Sequence, residues 1–211
     1  WDVSKVTNMR GMFSQCRAFN RDLSNWDTSN VTYMRDMFAN AETFNSDISG
    51  WNTSKVEDTY QMFRDADLFN ADLSNWDMSK VSNMEKMFYN APVFNAYISP
   101  WETQSATDVD SMFYRATAFD QDLSNWCLPL VTSINSSFAS SAGFAGQTAK
   151  FPVPGECPTY SGIYLEELVG GGDMILGGVA SAPTTIRRPD GTLINVATGS
   201  FANKETQLGW Y

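Results

Sequence analysis

The sequence predicts an α/β solenoid, with one short parallel strand and one short helix per 25 residues and a small β-rich C-terminal segment. Three observations predict it. Tryptophan recurs at Trp1, Trp26, Trp51, Trp76, Trp101 and Trp126 without an insertion or deletion. A fixed period in this range marks a unit that cannot bury its apolar face alone and is stacked on its neighbours. Two phenylalanine columns are unbroken, one at Phe13, Phe38, Phe63, Phe88, Phe113 and Phe138, the other at Phe19, Phe44, Phe69, Phe94, Phe119 and Phe144. Finally, the two halves of each unit carry different apolar spacings.

In the first half, Val31, Met34, Met37, Phe38 and Ala41 follow the spacing of one helical face. Thr7, Thr32, Ser82, Thr107 and Thr132 stand where such a helix would begin, and Ser82 precedes Glu85 at capping-box spacing. A short helix is predicted there. The second half, as in Phe44-Asn45-Ser46-Asp47-Ile48-Ser49-Gly50-Trp51, is too short for a helix and has Gly, Asn or Pro before its Trp. It reads as a short strand and turn. Small residues fill the Cys16, Ala41, Ala66, Ala91, Ala116 and Ser141 column, so Cys16 reads as a small buried hydrophobe.

One strand and one helix per unit is the plan of a leucine-rich-repeat-like right-handed coil. The pattern W-D-x-S-x-V-x-x-M-x-x-M-F-x-x-A-x-x-F-N-x-D-L-S-x, closest in Trp26–Gly50 and Trp76–Pro100, resembles the repeat of BspA-like bacterial surface proteins. The resemblance covers roughly residues 1–144. It implies a secreted or surface-exposed leucine-rich-repeat protein associated with adhesion or partner binding, without naming a ligand.

The pattern decays along the chain: Tyr97 replaces Asp, Gln104 and Ala106 replace Ser and Val, and the sixth unit carries Cys127, Pro129 and Ser137. A terminal coil covers an apolar end instead of matching another coil. Residues 1–151 therefore read as about six coils with a degenerate C-terminal cap. At the other end Trp1 stands in mid-pattern, and further coils are expected upstream. Residues 152–211 form a Gly/Pro/Thr-rich tail or partial second domain. Within it Thr184–Arg187 and Thr192–Val196 flank Pro189-Asp190-Gly191 as a hairpin. Gly170-Gly171-Gly172-Asp173 lacks the Lys-Ser or Lys-Thr of a phosphate loop and reads as a turn. The terminal Trp210 and Tyr211 call for a partner surface or more chain.

Charge and composition exclude several function classes. A net charge of −10 repels phosphate, and no basic run is present, which argues against nucleic acid. No hydrophobic span of membrane length is visible. The chain has no histidine, so neither a Ser-His-Asp nor a Cys-His arrangement can form, and an enzyme is not expected. Of the three cysteines, Cys127 and Cys157 bracket the cap. Their pairing would tie the tail to the last coil and imply an oxidising, extracellular or cell-surface setting.

The acidic columns Asp22, Asp47, Asp72, Asp122 and Asp2, Asp27, Asp77, Glu102 read as Asx turns completed by neighbouring serines. Calcium along the carboxylate ladder is the alternative, although a calcium-loop pattern is absent; no other cofactor is expected. The Asn20, Asn45, Asn70, Asn95, Asp120 column reads as an inward structural ladder between coils, and the Trp column as packing. Side chains free to read a ligand are those that vary between units. On the helix side these are Arg10, Arg35, Tyr60, Glu85 and Asp110, next to Tyr33, Asp58, Asn83 and Asp108. On the strand side the positions include Arg21 and Gln121. The candidate ligand-binding set is Arg10, Arg35, Tyr60, Glu85, Arg21 and Gln121. The expected function is a non-catalytic surface module that recognises a protein or glycan. The alternative is an architectural subunit of a filament, appendage or virion that pairs with copies of itself or an assembly partner.

Overall fold

The computed structural model describes residues 1–155, Cys157, and the backbone of five strands between residues 163 and 204. The chain divides into two compact units, Trp1–Pro158 and Thr159–Tyr211.

In the first unit each 25-residue segment makes one coil. The helix predicted for its first half is not there. Among the described residues there is no α-helix, and the only helical element is a single 3-10 turn, Thr148–Lys150. The predicted parallel strand is likewise reduced to single-residue parallel bridges, Asn8↔Tyr33↔Asp58↔Asn83↔Asp108. These bridges fall in the half predicted to be helical. The α/β solenoid expectation, with its leucine-rich-repeat-like strand and helix, is corrected on both counts.

The backbone hydrogen bonds give the physical reason. In coil two the N–H groups of Met37, Ala39 and Ala41 close tight turns onto the carbonyls of Met34, Asp36 and Phe38. The alternate N–H groups, of Met34, Asp36, Phe38 and Asn40, leave the coil and donate to Asp58, Tyr60, Met62 and Arg64 of the next one. A helix needs every N–H bonded back to the residue four before it. Here half of the donors serve as lateral ties, and Asp36 and Asn40 adopt left-handed φ values of 55° and 59°, which interrupt any right-handed helix. The same alternation recurs in coils one, three and four. Val31, Met34, Met37, Phe38 and Ala41 are nevertheless all fully buried, because consecutive turns present inward residues at spacings close to those of a helical face.

Stacking turns the sequence columns into rows. Successive Phe38, Phe63 and Phe88 rings lie 5.6 and 5.7 Å apart in near-parallel planes. Phe44, Phe69 and Phe94 lie 5.9 and 6.0 Å apart. Within a coil the two columns meet at 3.8 Å, as at Phe63 and Phe69. Each buried phenylalanine is worth about 1.5–3 kcal/mol in apolar transfer, and each stacked pair adds roughly 0.5–1.5 kcal/mol. The tryptophans stack beside them, 6.1 Å between Trp26 and Trp51 and 6.3 Å between Trp51 and Trp76. The indole N–H of Trp51, Trp76, Trp101 and Trp126 donates to the carbonyl of Leu23, Ile48, Leu73 and Ile98 in turn. The Trp column is therefore a packing and hydrogen-bonding element.

The last coil ends the pattern. Phe113 N–H donates to Phe138 and Arg115 N–H to Ser140, one residue later in the unit than in the coils before. Phe138 and Phe144 meet Phe113 edge-on at 87° and 83°, which closes the parallel stack. A Cβ on Gly143 would lie 2.7 Å from the Phe119 carbonyl oxygen, so only glycine lets the chain cross there. Cys127 and Cys157 are joined by a disulfide, and Gly155 N–H donates to Leu128. Cys16, predicted to be buried, is exposed, because nothing in the structure packs on that side of coil one.

In the second unit, β1 (Ile163–Glu167), β2 (Met174–Ala180) and β5 (Gly199–Lys204) form an antiparallel sheet in the order β1-β2-β5. β3 (Thr184–Arg187) pairs antiparallel with β4 (Leu193–Val196), with Arg187 opposite Leu193, on the two sides of the Pro-Asp-Gly segment. That turn, the Gly170–Asp173 turn, and Trp210 and Tyr211 lie outside the described residues.

Candidate interaction face

The repeated polar groups are consumed by the fold. Asp22, Asp27, Asp47, Asp72, Asp77 and Asp122 each accept the N–H of the serine two residues on, at 2.9–3.0 Å. In Asp27, Asp77 and Asp122 the serine hydroxyl, and then the amide, holds the carboxyl below its ordinary value. In Asp22 and Asp47 the amide is the larger cause. These are the Asx turns read in the sequence. No group of three or more acidic or thiol side chains is placed to hold a metal ion among the described residues. The asparagine column also ties coils together: Oδ1 of Asn20, Asn45, Asn70 and Asn95 accepts the N–H of Asn45, Asn70, Asn95 and Asp120. Its side chains are exposed and not inward.

What remains is the outer edge of the turns. Arg10, Arg35, Tyr60 and Glu85 fall in one row along the stack. The Arg35 guanidinium lies over the Tyr60 ring at 3.9 Å and approaches Asp36 at 3.6 Å and Asp58 at 3.8 Å. Arg10 reaches Asp36 at 3.9 Å. Lys86 pairs with Glu85 and lies 5.8 Å from the Tyr60 ring. Its hydrogen bond to Glu85 raises the amine above its ordinary value. The face continues with residues not singled out from sequence. Arg64 lies over Tyr89 at 5.7 Å, Tyr89 stacks on Tyr114 at 4.8 Å, and Arg115 sits 5.3 Å from the Tyr114 ring. The Nε atoms of Arg35 and Arg64 are buried without a hydrogen-bond partner. Arg64 Nε is 3.0 Å from Asp65 Oδ2, an ion pair not aligned as a hydrogen bond. The signal that could have found Arg64, Tyr89 and Tyr114 is the variation of their own column, Ser14, Ala39, Arg64, Tyr89, Tyr114. It is masked when the segment is taken for a helix and its inward residues are counted first.

The structure does not bring Arg21 and Gln121 to this face. Gln121 Nε2 donates to Asn95 Oδ1 at 2.8 Å, a tie between coils. Arg21 lines an open cleft of about 270 Å³ with Trp1, Phe13, Phe19, Leu23 and Trp26 at the edge of coil one.

A family model described as "Mycoplasma protein of unknown function, DUF285" matches residues 1–96 and again residues 69–155. The chain belongs to this family. The two matches overlap within the repeat region, as a model spanning several units does when units are interchangeable. The DUF285 assignment supports a repeat protein and carries neither a leucine-rich-repeat motif nor an activity. No curated protein and no solved structure matches the chain. No helix among the described residues is long and apolar enough to cross a membrane.

Proposed function

We propose that this DUF285 member is a non-catalytic binding module, displayed outside the cell, that recognises a protein or glycan through the arginine–tyrosine face. One observation carries the reading. Tyrosine rings and guanidiniums are pre-stacked on a hydrogen-bonded backbone, Arg35 on Tyr60 at 3.9 Å and Tyr89 on Tyr114 at 4.8 Å. Little side-chain freedom is left to lose on binding, and aromatic and arginine side chains dominate recognition energetics. The absence of histidine and the use of the repeated carboxylates in Asx turns support a non-catalytic role. The Cys127–Cys157 disulfide supports an oxidising compartment.

The test is a screen of the full chain against glycan arrays and host-cell surfaces, followed by Arg35→Ala and Tyr60→Ala. Each should weaken a detected interaction by about tenfold or more, while Gln121→Ala, on the other surface, leaves it unchanged. Binding that survives both face substitutions overturns the assignment of this face.

A further inference from the structure

The face has a pattern along the stack that a single binding row does not require. Its first row reads Arg10, Arg35, Tyr60, Glu85, Asp110: two cations, a neutral aromatic, two anions. The adjacent row carries Asp36 in coil two and Lys86 in coil four, with Gln61 between. Both rows change sign about coil three. We infer that this face pairs with the same face of a second copy of the chain, antiparallel, about a two-fold axis at Tyr60. The inference rests on the binding reading of this face and names its partner.

A two-fold axis lying in the plane of the face and across the stack reverses the order of coils and returns each column to itself. Arg10 then meets Asp110 of the second copy, Arg35 meets Glu85, and Asp36 meets Lys86, each contact made twice, as a two-fold interface demands. The intrachain pairs Arg35–Asp36 and Glu85–Lys86 need not break, because a plus–minus pair lies on a minus–plus pair. Size follows the same symmetry: bulky Tyr89 and Tyr114 come opposite Ala39 and Ser14. At the axis Arg64 and Asp65, 3.0 Å apart within the chain, each meet their own copy, so each guanidinium keeps its own carboxylate and lies diagonal to the second one. Asp58, also near the axis, is held by Arg35 of its own chain at 3.8 Å. Asp110 is raised by burial, then by Asp108 and Glu85, with Asn135 and Lys86 acting the other way; the second copy's Arg10 would give it a direct ion pair. A parallel arrangement would put Arg35 on Arg35 and Glu85 on Glu85. Like-charge contacts of that kind are penalised strongly enough to choose the orientation.

Sedimentation velocity on the full chain, over concentration and salt, tests the pairing. The wild type should dimerise, less so at high salt, since partly exposed charges are screened. Arg35→Glu and Glu85→Arg should each weaken self-association by at least about tenfold. An equimolar mixture of the two variants should recover a heterodimer, because every altered charge then faces its opposite. That recovery also establishes that both variants are folded. A wild type that stays monomeric up to roughly millimolar concentration, variants that dimerise like the wild type, or a mixture that fails to recover would each overturn the pairing. A monomer that still binds cells or glycans through Arg35 and Tyr60 removes only the second copy as partner. A dimer whose cell binding ignores those residues removes only the adhesion reading.

Discussion

Single side chains here do the work that a sheet's backbone does elsewhere. Asn45 Oδ1 accepts Asn70 N–H at 2.8 Å while Asn45's own N–H is held by Asn20, so one carboxamide stitches three coils. Asn45→Ala leaves the Asn70 N–H to water and should cost about 1 kcal/mol in urea unfolding. Asn45→Asp keeps the acceptor oxygen and should cost less. Equal losses for the two variants would show that the oxygen is not what matters. This ladder was legible in the sequence because an amide repeating at fixed phase has both a donor and an acceptor to offer its neighbour. Its exposure was not legible, since nothing in the period distinguishes the outer from the inner side of an unfamiliar coil.

At the scale of the element, the coil's burial pattern was legible and its backbone was not. Apolar positions fixed which residues are inside, and Phe38, Phe44, Met37 and Ala41 are all fully buried. Consecutive tight turns and a helix share near-three-residue spacings, so periodicity alone favoured the commoner element. The contrary signal lay at the left-handed positions but in only half of them: Gly11, Asp36, Asn40, Asp65 and Asn90 belong to the residue types that tolerate positive φ, whereas Gln15, Gln61, Lys86, Ser111 and Arg115 adopt it in the same two columns without doing so. Asn40 separates the two backbones experimentally. On consecutive turns Asn40→Val should destabilise by about 1–2 kcal/mol and Asn40→Gly should be close to neutral. In a helix the order would invert, with glycine the worse of the two. Thermal unfolding of the two variants reads the sign directly. The interaction face was half legible for the same reason. Arg10, Arg35, Tyr60 and Glu85 vary on an outward row, whereas Arg64, Tyr89 and Tyr114 lie where a helix reading expects filler.

For the whole molecule, repetition multiplies small effects. Six aspartates, Asp2, Asp22, Asp27, Asp47, Asp77 and Asp122, are held below their ordinary value of 3.8 by serine amides and hydroxyls. A depressed folded-state pKa means that the unfolded chain binds protons first. Stability from these groups is therefore present above 3.8 and is lost as pH falls through and below it. Asp67 and Asp110, raised first by burial and then by neighbouring carboxylates, act oppositely and favour folding slightly as pH approaches that value from above. Urea midpoints measured from about pH 6 to about pH 2 should hold or rise a little, then fall steeply. A midpoint that continued to rise below 3.8 would contradict the serine-bound carboxylates.

The unbroken phase of the 25-residue unit reaches beyond a single chain. Because each coil touches only its neighbours and the junctions among coils one to five repeat the same hydrogen bonds, recombination between those repeats in the gene can add or remove whole coils while the seams stay intact. Such events lengthen the display surface in uniform steps. Under antiparallel pairing they also shift its centre of symmetry, so strains differing by one unit would no longer match in register.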